Sequence, residues 1–430
     1  MSEKKSAFLT YFIIVVAACG YFVDIYDLIL FNVVKKDSLE MIMKGATPDA
    51  IKSTGIFLFN MQMTGMLLGG LLWGMLGDKK GRLSVLFGSI LLYSIANIIN
   101  AFATSVPLYA LVRIIAGIGL AGELGAGVTL VAETMSKEKR GYGTMIIVSF
   151  GALGAVAAAV VGAQGEVIGH WLGGIFNTTF ANWQVAYLVG GTLGLFLLML
   201  RVGTIESGMF KNIENADVSR GNILMLFNNW ARFSKYIKCI LVGLPIWFIV
   251  GLIVANSESI WAKELDVQGK VVNGQAVMYS YIGLCVGDLL SGILSQVLRS
   301  RRKVIMIYLV ACVAITTYFF FFAKGITNTG FYMLAFSLGA ATGFWALFVT
   351  VATEQFGTNI RSTVTNTSPN FVRGSVPLIL WLFQSLVSVS LSNSLSAFIV
   401  GMLCYGLSFW AISQLGETFS KDLDYVEQYP

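Results

Sequence analysis

Charged residues are scarce in this sequence. Asp, Glu, Lys and Arg make up only 12% of its 430 residues, whereas a soluble globular protein carries about 25%. This shortage argues against a water-soluble enzyme, a nucleic-acid-binding protein and a disordered chain. The 29 basic and 23 acidic residues give a net charge of +6. In a membrane protein the positions of the basic residues along the chain indicate the orientation of the helices.

Histidine and cysteine are also rare. His170 is the one histidine of the sequence, and a single histidine does not build a metal centre by itself. The five cysteines all lie in long apolar runs, far from where an oxidant closes a loop: Cys19, Cys239, Cys285, Cys312 and Cys404. We therefore expect no disulfide, no metal site and no cofactor.

Hydrophobic residues, in contrast, make up 56% of the chain, and its mean hydropathy is +0.75. A membrane helix needs about 20 apolar residues to cross a hydrocarbon core of roughly 30 Å. Twelve stretches meet this requirement. They predict an all-α membrane protein with helices at about 7–34, 55–77, 83–104, 107–135, 142–165, 183–201, 236–256, 275–298, 304–324, 330–356, 363–391 and 395–416.

Basic residues are distributed unequally between the loops on the two sides of these helices. With both termini in the cytoplasm, 20 of the 29 Lys and Arg residues fall on that side and 7 on the outer side, while Arg113 and Arg373 fall inside helices. Cytoplasmic loops of membrane proteins carry an excess of Lys and Arg. We therefore predict a multi-pass protein of the bacterial inner membrane with both termini in the cytoplasm.

One long polar stretch, at 202–235, separates the first six predicted helices from the last six. A short basic loop follows the second helix of each set, at 77–82 and at 299–303. Many secondary carriers are built from such internal repeats. The sequence therefore predicts two six-helix halves at 1–201 and 236–416, joined by a cytoplasmic linker at 202–235 and followed by a cytoplasmic tail at 417–430.

A motif after the second helix resembles a signature of the major facilitator superfamily. The run from Gly74 through Asp78 to Gly81 and Arg82 follows the superfamily pattern G-x-L-x-D-R-x-G-R, with Lys79 replacing the usual Arg. This resemblance implies twelve transmembrane helices in two pseudo-symmetric halves, and a transporter that works by alternating access rather than an enzyme.

Further elements of the same superfamily recur along the chain. Helix 4 contains R-x-x-x-G at 113–117 and ends with an acidic and an R-G element at 132–133 and 140–141. Residues 354–361 mirror that ending after helix 10, with Gly357 where the family has Pro. The second-half copy of the first signature has Gln296 where the first half has Asp78. The charged contacts at the cytoplasmic ends of the two halves are therefore not expected to be symmetric.

Residues 20–27 resemble motifs of particular transporter groups within the superfamily. Asp24, Tyr26 and Asp27 resemble the D-x-Y-D of metabolite:proton and phosphate:proton symporters, and Tyr26-Asp27 is similar to the Y-D of proton-coupled sugar carriers. The chain also resembles the bacterial phagosomal nutrient carriers, which import amino acids, although no single motif decides for that group. The resemblance implies substrates among organic acids, zwitterions, phosphate and sugars.

Six ionisable residues fall inside the predicted helices: Asp24, Asp27, Arg113, Glu123, Asp288 and Arg373. Each costs about 2.5–3.5 kcal/mol at the bilayer centre unless it is paired or faces water. Asp27 and Arg113 lie at similar depths, so they can face each other. We interpret Asp24, Asp27 and Arg113 as a proton-coupling site; a fixed salt bridge between helices 1 and 4 is the alternative.

Arg373 lies near the bilayer midplane, beside Ser368, Pro369 and Asn370, a composition that predicts a local break in helix 11. Its guanidinium suits a carboxylate or phosphate, while a structural bridge from Arg373 to Asp288 is the alternative. Glu123 can bind an ammonium group, relay a proton or cap a polar contact. The predicted substrate-binding set is Tyr26, Glu123, Trp247, Asp288, Trp345, Asn370 and Arg373, although the two tryptophans also fit simple packing.

Charged residues at the cytoplasmic helix ends form the last predicted set. By resemblance they form a gate that holds the outward-open state, and a solvated inner face is the alternative. The set is Asp78, Arg82, Glu133, Arg140, Glu354 and Arg361.

We thus predict a monomeric, proton-coupled symporter of a small anionic or zwitterionic metabolite, an organic acid or an amino acid. Its expected partners are the substrate, protons and the lipid bilayer, without nucleic acid. A uniporter, an exporter or a channel are alternatives. Tyr26-Asp27 and Gly287-Asp288 are also similar to motifs of intramembrane aspartyl proteases, but Cys285 stands where that family has Gly.

Overall fold

The computed structural model describes residues 3–176, 179–201 and 219–428, and this part of the chain is nearly all helical. It contains twelve helices that are long and apolar enough to cross a membrane. The predicted number of spans is therefore confirmed. Of the predicted linker, residues 202–218 lie outside the described residues, while the remainder holds a short 3₁₀ helix at Ile223–Leu226.

The first six membrane helices make up what we name the first half. α4 consists of two helical segments in line. The bounds are α1 Glu3–Ile42, α2 Pro48–Lys80, α3 Arg82–Asn100, α4 Val106–Leu120 and Glu123–Thr134, α5 Arg140–Phe176, and α6 Asn182–Leu200.

The last six helices make up the second half, in which three helices are segmented. α7 runs through Trp230–Phe248, a π-helix at Ile249–Ile253, a 3₁₀ turn at Val254–Asn256, a second π-helix at Ser257–Trp261, and Ala262–Glu264. The others are α8 Asn273–Val297, α9 Arg301–Phe321, α10 Asn328–Ala341 and Trp345–Glu354, α11 Arg361–Gly374 and Val376–Ser388, and α12 Asn393–Gln414.

Several helices extend beyond their predicted ends. α1 continues to Ile42 rather than 34, and α7 begins at Trp230 rather than 236. Hydropathy detects only the apolar part of a helix, whereas its polar ends depend on capping. Asn229 supplies such a cap, because its side chain accepts hydrogen bonds from the backbone N–H groups of Ala231 and Arg232.

The break in α11 lies about one and a half turns later than predicted. Pro369 stands inside a continuous helical segment, and the interruption falls at Ser375. Pro377, near the start of the next segment, explains this position, because proline favours the first turn of a helix and interrupts a helix that would run through it.

The two halves pack against each other chiefly through α2 with α11 and α5 with α8. Gly74 of α2 makes the first of these contacts possible, since a Cβ atom there would lie only 2.8 Å from the Cα of Thr363. We name the side of the bundle that holds the start of α1 and residues 415–428 the basal end, and the opposite side the distal end.

Candidate functional site: a central cavity and a basal gate

A small cavity with a volume of about 20 Å³ lies between the two halves. In this conformation it has room for about one water molecule. Arg373 is the one charged residue among its described lining. The lining is Tyr21, Ile25, Val148, Ala152, Ile246, Trp247, Val250, Tyr281, Leu284, Trp345 and Arg373.

Arg373 is held at the cavity by polar and aromatic neighbours. Its Nη2 donates to the Tyr21 hydroxyl at 3.3 Å, and its Nη1 to Asn370 Oδ1 at 3.4 Å. The guanidinium carbon lies 5.9 Å from the ring centroid of Trp247 and 5.6 Å from that of Trp345. Its Nε has no acceptor within the described chain. The guanidinium therefore keeps donor capacity for an anion.

The segmentation of α10 places Trp345 in the cavity. Trp345 is the first residue of the second α10 segment, directly after the interruption at 342–344. Gly343 within that interruption packs on α8 so closely that a Cβ atom would lie 2.3 Å from Gly287. Trp247 enters from α7, just before the π-helix that contains Val250. Such π segments are frequent at functional sites.

Asp288 does not pair with Arg373, so the bridge that the sequence left open is absent. Its Oδ1 instead accepts a hydrogen bond from the backbone N–H of Ala346 at 2.9 Å. The start of a helical segment exposes N–H groups that lack helical partners and attract a carboxylate. Asp288 thus caps the segment that carries Trp345, and the interruption that creates this cap was not predicted.

The two carboxylates of α1 are buried without strong partners. Asp24 is 0% and Asp27 1% exposed, and no carboxylate oxygen of either accepts a hydrogen bond of normal geometry from the described residues. Arg373 and Glu123 are close enough to Asp24 to interact with it electrostatically. Gly190 of α6 packs directly against Asp27.

Arg113 lies near Asp27 but forms no ion pair with it, so the alternative of a fixed salt bridge between helices 1 and 4 is not observed. Its guanidinium donates to Gln62 Oε1 and, at 3.3 Å, to the Tyr187 hydroxyl, and it lies 4.1 Å from the ring centroid of Phe31. Gln62 and Tyr187 thus accept hydrogen bonds from this guanidinium in place of Asp27. Gln62 could have been found from the sequence, because a polar side chain in an apolar helix is unusual.

Tyr26 does not line the cavity. Its hydroxyl donates to the backbone carbonyl of Ala186 at 2.9 Å, which joins α1 to α6. Tyr21, one turn and a half earlier on α1, occupies the cavity instead. Tyr21 was not among the predicted site residues, because no charge or motif distinguishes it from other aromatic residues of the helix.

Glu123 already has a cationic partner. Arg201, at the end of α6, donates to its Oε1 and also to the carbonyl of Leu86, and both charged side chains are 1% exposed. Glu123 is the first residue of the second α4 segment. The sequence placed Arg201 at the cytoplasmic end of the sixth predicted helix, 183–201, and its pairing with Glu123 was not predicted.

The predicted gate residues come together in two clusters at the basal end. In the first cluster, Glu133 accepts from Arg82 of its own half at 2.8 and 3.1 Å and from Arg361 of the second half at 2.8 Å. Asp78 caps α11 across the interface, accepting from the N–H groups of Ser362 and Thr363 at 2.9 and 2.8 Å. These contacts join the halves directly.

The second cluster surrounds Glu354. Arg140 of the first half lies 3.3 Å from its Oε1, and Arg301 of the second half lies 3.5 Å from the same atom. Gln296 extends this cluster: with its amide oxygen assigned to the side of Arg301, the oxygen accepts from Arg301 at 3.2 Å and the amide nitrogen donates to the carbonyl of Glu138 at 2.9 Å. Gln296, which stands where the superfamily signature has Asp, therefore still reaches across to the start of α5. Arg301 also belongs to the cluster around Glu354, although it was not among the predicted gate residues.

Comparisons with known proteins agree with this architecture. The family model described as Major Facilitator Superfamily matches residues 7–368. The niacin transporter NiaP of Acinetobacter baylyi is 27% identical over 71% of this chain and 72% of its own. The 3-(3-hydroxy-phenyl)propionate transporter of Escherichia coli is 26% identical over 73% and 72%. The structure of the proton:xylose symporter XylE has the same fold, with a TM-score of 0.77, 16% identity, and coverage of 97% of this chain and 98% of its own.

Proposed function

This chain belongs to the Major Facilitator Superfamily of membrane transporters, and we propose that it is a proton-coupled symporter of a small aromatic monocarboxylate. The observation that carries this proposal is Arg373 in a cavity walled by Trp247 and Trp345. The family and the relatives are transporters, so an intramembrane protease is excluded.

The chemistry of the cavity favours a substrate that carries one carboxylate and a flat ring. A guanidinium binds a carboxylate through two parallel hydrogen bonds, and it is the one charged side chain among the described lining. Indole and phenol rings favour stacked or edge-to-face contacts with another aromatic ring. Niacin and 3-(3-hydroxyphenyl)propionate, which the names of two relatives give as substrates, both combine a ring with a carboxylate.

Asp24 and Asp27 support proton coupling. An ionised carboxylate in a buried site is costly unless it is paired, and neither side chain has a hydrogen-bond donor of normal geometry in this conformation. Asp24 also lies within electrostatic reach of Arg373. A substrate carboxylate on Arg373 therefore competes with Asp24 for the same positive charge, so binding of the anion favours a protonated Asp24.

Alternating access follows from the arrangement of the two halves. The clusters around Glu133 and Glu354 connect the halves at the basal end, below the cavity. We assign the basal end to the cytoplasm of a bacterial inner membrane, with both termini inside. The conformation described here is then closed to the cytoplasm. Breaking these clusters opens the basal end and releases the substrate into the cytoplasm. Each monomer carries out this cycle by itself.

Uptake by proteoliposomes tests the coupling. Radiolabelled nicotinate is supplied outside with an inward proton gradient, without a gradient and with an outward gradient; protein-free liposomes correct for passive entry of the neutral acid. A symporter accumulates nicotinate only with the inward gradient. Equilibration without accumulation identifies a uniporter, and accumulation driven by the outward gradient identifies proton antiport. Either result contradicts the proposal.

A binding comparison tests the substrate class separately. Benzoate carries both recognised groups, cyclohexanecarboxylate lacks the aromatic ring and benzamide lacks the negative charge. We expect benzoate to raise the temperature of thermal unfolding of the purified protein more than either analogue, because a ligand of the folded state stabilises it. Equal effects of all three compounds would contradict an aromatic carboxylate site.

A further inference from the structure

The C-terminal residues after α12 follow a defined path over the basal end. Glu417 begins this path by bonding to the start of α9: its carboxylate accepts from the Ser300 hydroxyl and from the backbone N–H of Arg301 at 3.0 Å. The path thus starts on the second half, the half to which α12 belongs.

The chain next reaches the first half. Arg140 donates to the carbonyl of Lys421, and Lys137 Nζ lies 2.9 Å from Asp422 Oδ2. Both basic residues stand at the start of α5 or just before it. Because Arg140 also contacts Glu354, the tail adds a second connection between the halves at the same place.

The tail then returns to the α10–α11 connection of the second half. The Leu423 carbonyl accepts from Arg361 at 2.5 Å, and the Tyr425 carbonyl accepts from the Thr358 N–H at 2.8 Å. Asn359 pairs with Glu427 through two bonds, donating to its carbonyl at 3.0 Å and accepting from its N–H at 2.8 Å. Successive backbone groups of the tail are therefore hydrogen-bonded to residues of this connection.

Gly357 makes this close approach possible. A Cβ atom at Gly357 would lie 2.7 Å from the Glu427 nitrogen and 3.0 Å from the Tyr425 oxygen. A larger side chain would push the tail away. Gly357 is also the position at which the sequence departs from the proline of the superfamily pattern, and proline would in addition lack the N–H that points to Glu427 Oε1 at 3.4 Å.

We propose that residues 418–428 are a strap that holds the basal end closed and must leave the first half before that end opens. The strap is continuous with the second half but bonds to Lys137 and Arg140 of the first, so separation of the halves breaks these contacts. Interactions present in only one conformation shift the equilibrium toward it. The proposal rests on alternating access between the halves, and not on the substrate or on protons.

Spin-label distances across the basal end test the strap. Labels are placed at Lys139→Cys in the first half and Lys303→Cys in the second, both exposed positions, after replacement of the half-exposed native Cys19 and Cys285. In lipid nanodiscs, a chain that ends at Ser420 keeps the Glu417 anchor but loses residues 421–428, which make the strap's contacts with the first half and with the α10–α11 connection. We expect the ratio of long to short distances to rise about fivefold or more, as for a typical coupling between two sites.

Gly357→Ala provides an independent variant that changes no charge. In the full-length chain we expect it to displace the strap and to shift the distances in the same direction as truncation. In the chain that ends at Ser420 it should have no further effect, because the atoms it would displace are gone. Gly406→Ala is the matched control, since a Cβ atom there has nothing within 4 Å.

Two results would overturn the strap. Identical distance distributions in the full-length and truncated chains would mean that the tail does not stabilise the closed basal end. A shift caused by Gly357→Ala in the truncated chain would mean that Gly357 acts through the α10–α11 connection itself. Neither result depends on transport of any substrate, so each is distinguishable from a failure of the proposed function.

Discussion

The indole N–H of Trp345 donates a hydrogen bond to the hydroxyl of Tyr21 over 3.0 Å. This bond connects α10 of the second half with α1 of the first half across the cavity. Arg373 donates to the same hydroxyl, and Asp24 follows Tyr21 by three residues on α1. Residues separated by three positions share a helix face. The proposed substrate and proton sites are therefore joined at Tyr21.

Arg373→Lys should weaken substrate binding while leaving the fold intact. Lysine keeps the positive charge but loses the planar group that bonds to Tyr21 and Asn370 and faces the two tryptophans. We expect the affinity for benzoate to fall about tenfold or more, which corresponds to about 1.4 kcal/mol. Titration calorimetry measures this change, and thermal unfolding checks the fold. Unchanged affinity would show that Arg373 is structural.

The number of membrane helices was readable from the sequence because it depends mainly on local hydropathy. A run of about 20 apolar residues has few alternatives to a membrane helix. The buried charged residues could also be identified from the sequence. An ionised side chain in a membrane helix costs free energy, so such residues are rare and stand out in an apolar run. Even Glu133 and Arg361, more than two hundred residues apart, were assigned to one gate because family motifs locate both at basal helix ends.

The partners of the buried charges were less predictable. Asp288 caps the second segment of α10 because that helix is interrupted at 342–344, and nothing in the local sequence distinguishes this position. Arg113 bonds to Gln62 and not to Asp27, although both lie within its reach along the bundle. Depth along a helix can be estimated from residue number, but the direction of a side chain around the bundle depends on packing.

Asp27→Asn should separate proton coupling from substrate movement. Asparagine resembles the protonated carboxyl group, so the variant should exchange nicotinate across proteoliposomes yet fail to accumulate it with a proton gradient. Asp24→Asn is the informative comparison, because Asp24 and not Asp27 lies near Arg373. We expect this second variant also to change the affinity for the carboxylate. Full accumulation by Asp27→Asn would transfer the proton-carrying role to Asp24.

Asp78→Ala should favour opening of the basal end. Its carboxylate bonds to two backbone N–H groups of α11 and to the Thr363 hydroxyl at 2.7 Å, all across the interface of the halves. Loss of these bonds should make cysteines introduced behind the gate more accessible to a thiol reagent. Asp266→Ala is a matched control at the distal end, where Asp266 forms an exposed ion pair with Lys324. Equal labelling of both variants would contradict a gating role.

The start of the tail should detach in acid. Burial raises the pKa of Glu417, but hydrogen bonds from Ser300 and from the N–H groups of Phe419, Arg301 and Thr418 outweigh it and lower the pKa below the usual 4.5. A carboxyl with a lowered folded pKa stabilises the bound state above its ordinary pKa and loses that contribution as the pH falls through the folded value. Attachment should therefore weaken below about pH 4.5.

A spin label at Gly416→Cys measures this detachment, since a Cβ atom there has nothing within 4 Å. We expect label mobility to be low near neutral pH and to rise in acid. Glu417→Gln should be mobile at every pH, because the amide cannot ionise. A pH-dependent rise that persists in Glu417→Gln would assign the transition to another group.

Glu123 and Arg201 should behave as a structural pair in unfolding experiments. Each is 1% exposed, so removing one leaves the other as an uncompensated buried charge. We expect Glu123→Gln or Arg201→Met alone to destabilise the protein by about 3–5 kcal/mol, and the double variant to recover most of the loss. Thermal unfolding in detergent measures the recovery, and benzoate binding to the double variant separates the remaining roles of Glu123. If the double variant is stable and binds benzoate normally, Glu123 serves the fold through Arg201; if it is stable but does not bind, Glu123 contributes to the substrate site as the sequence predicted.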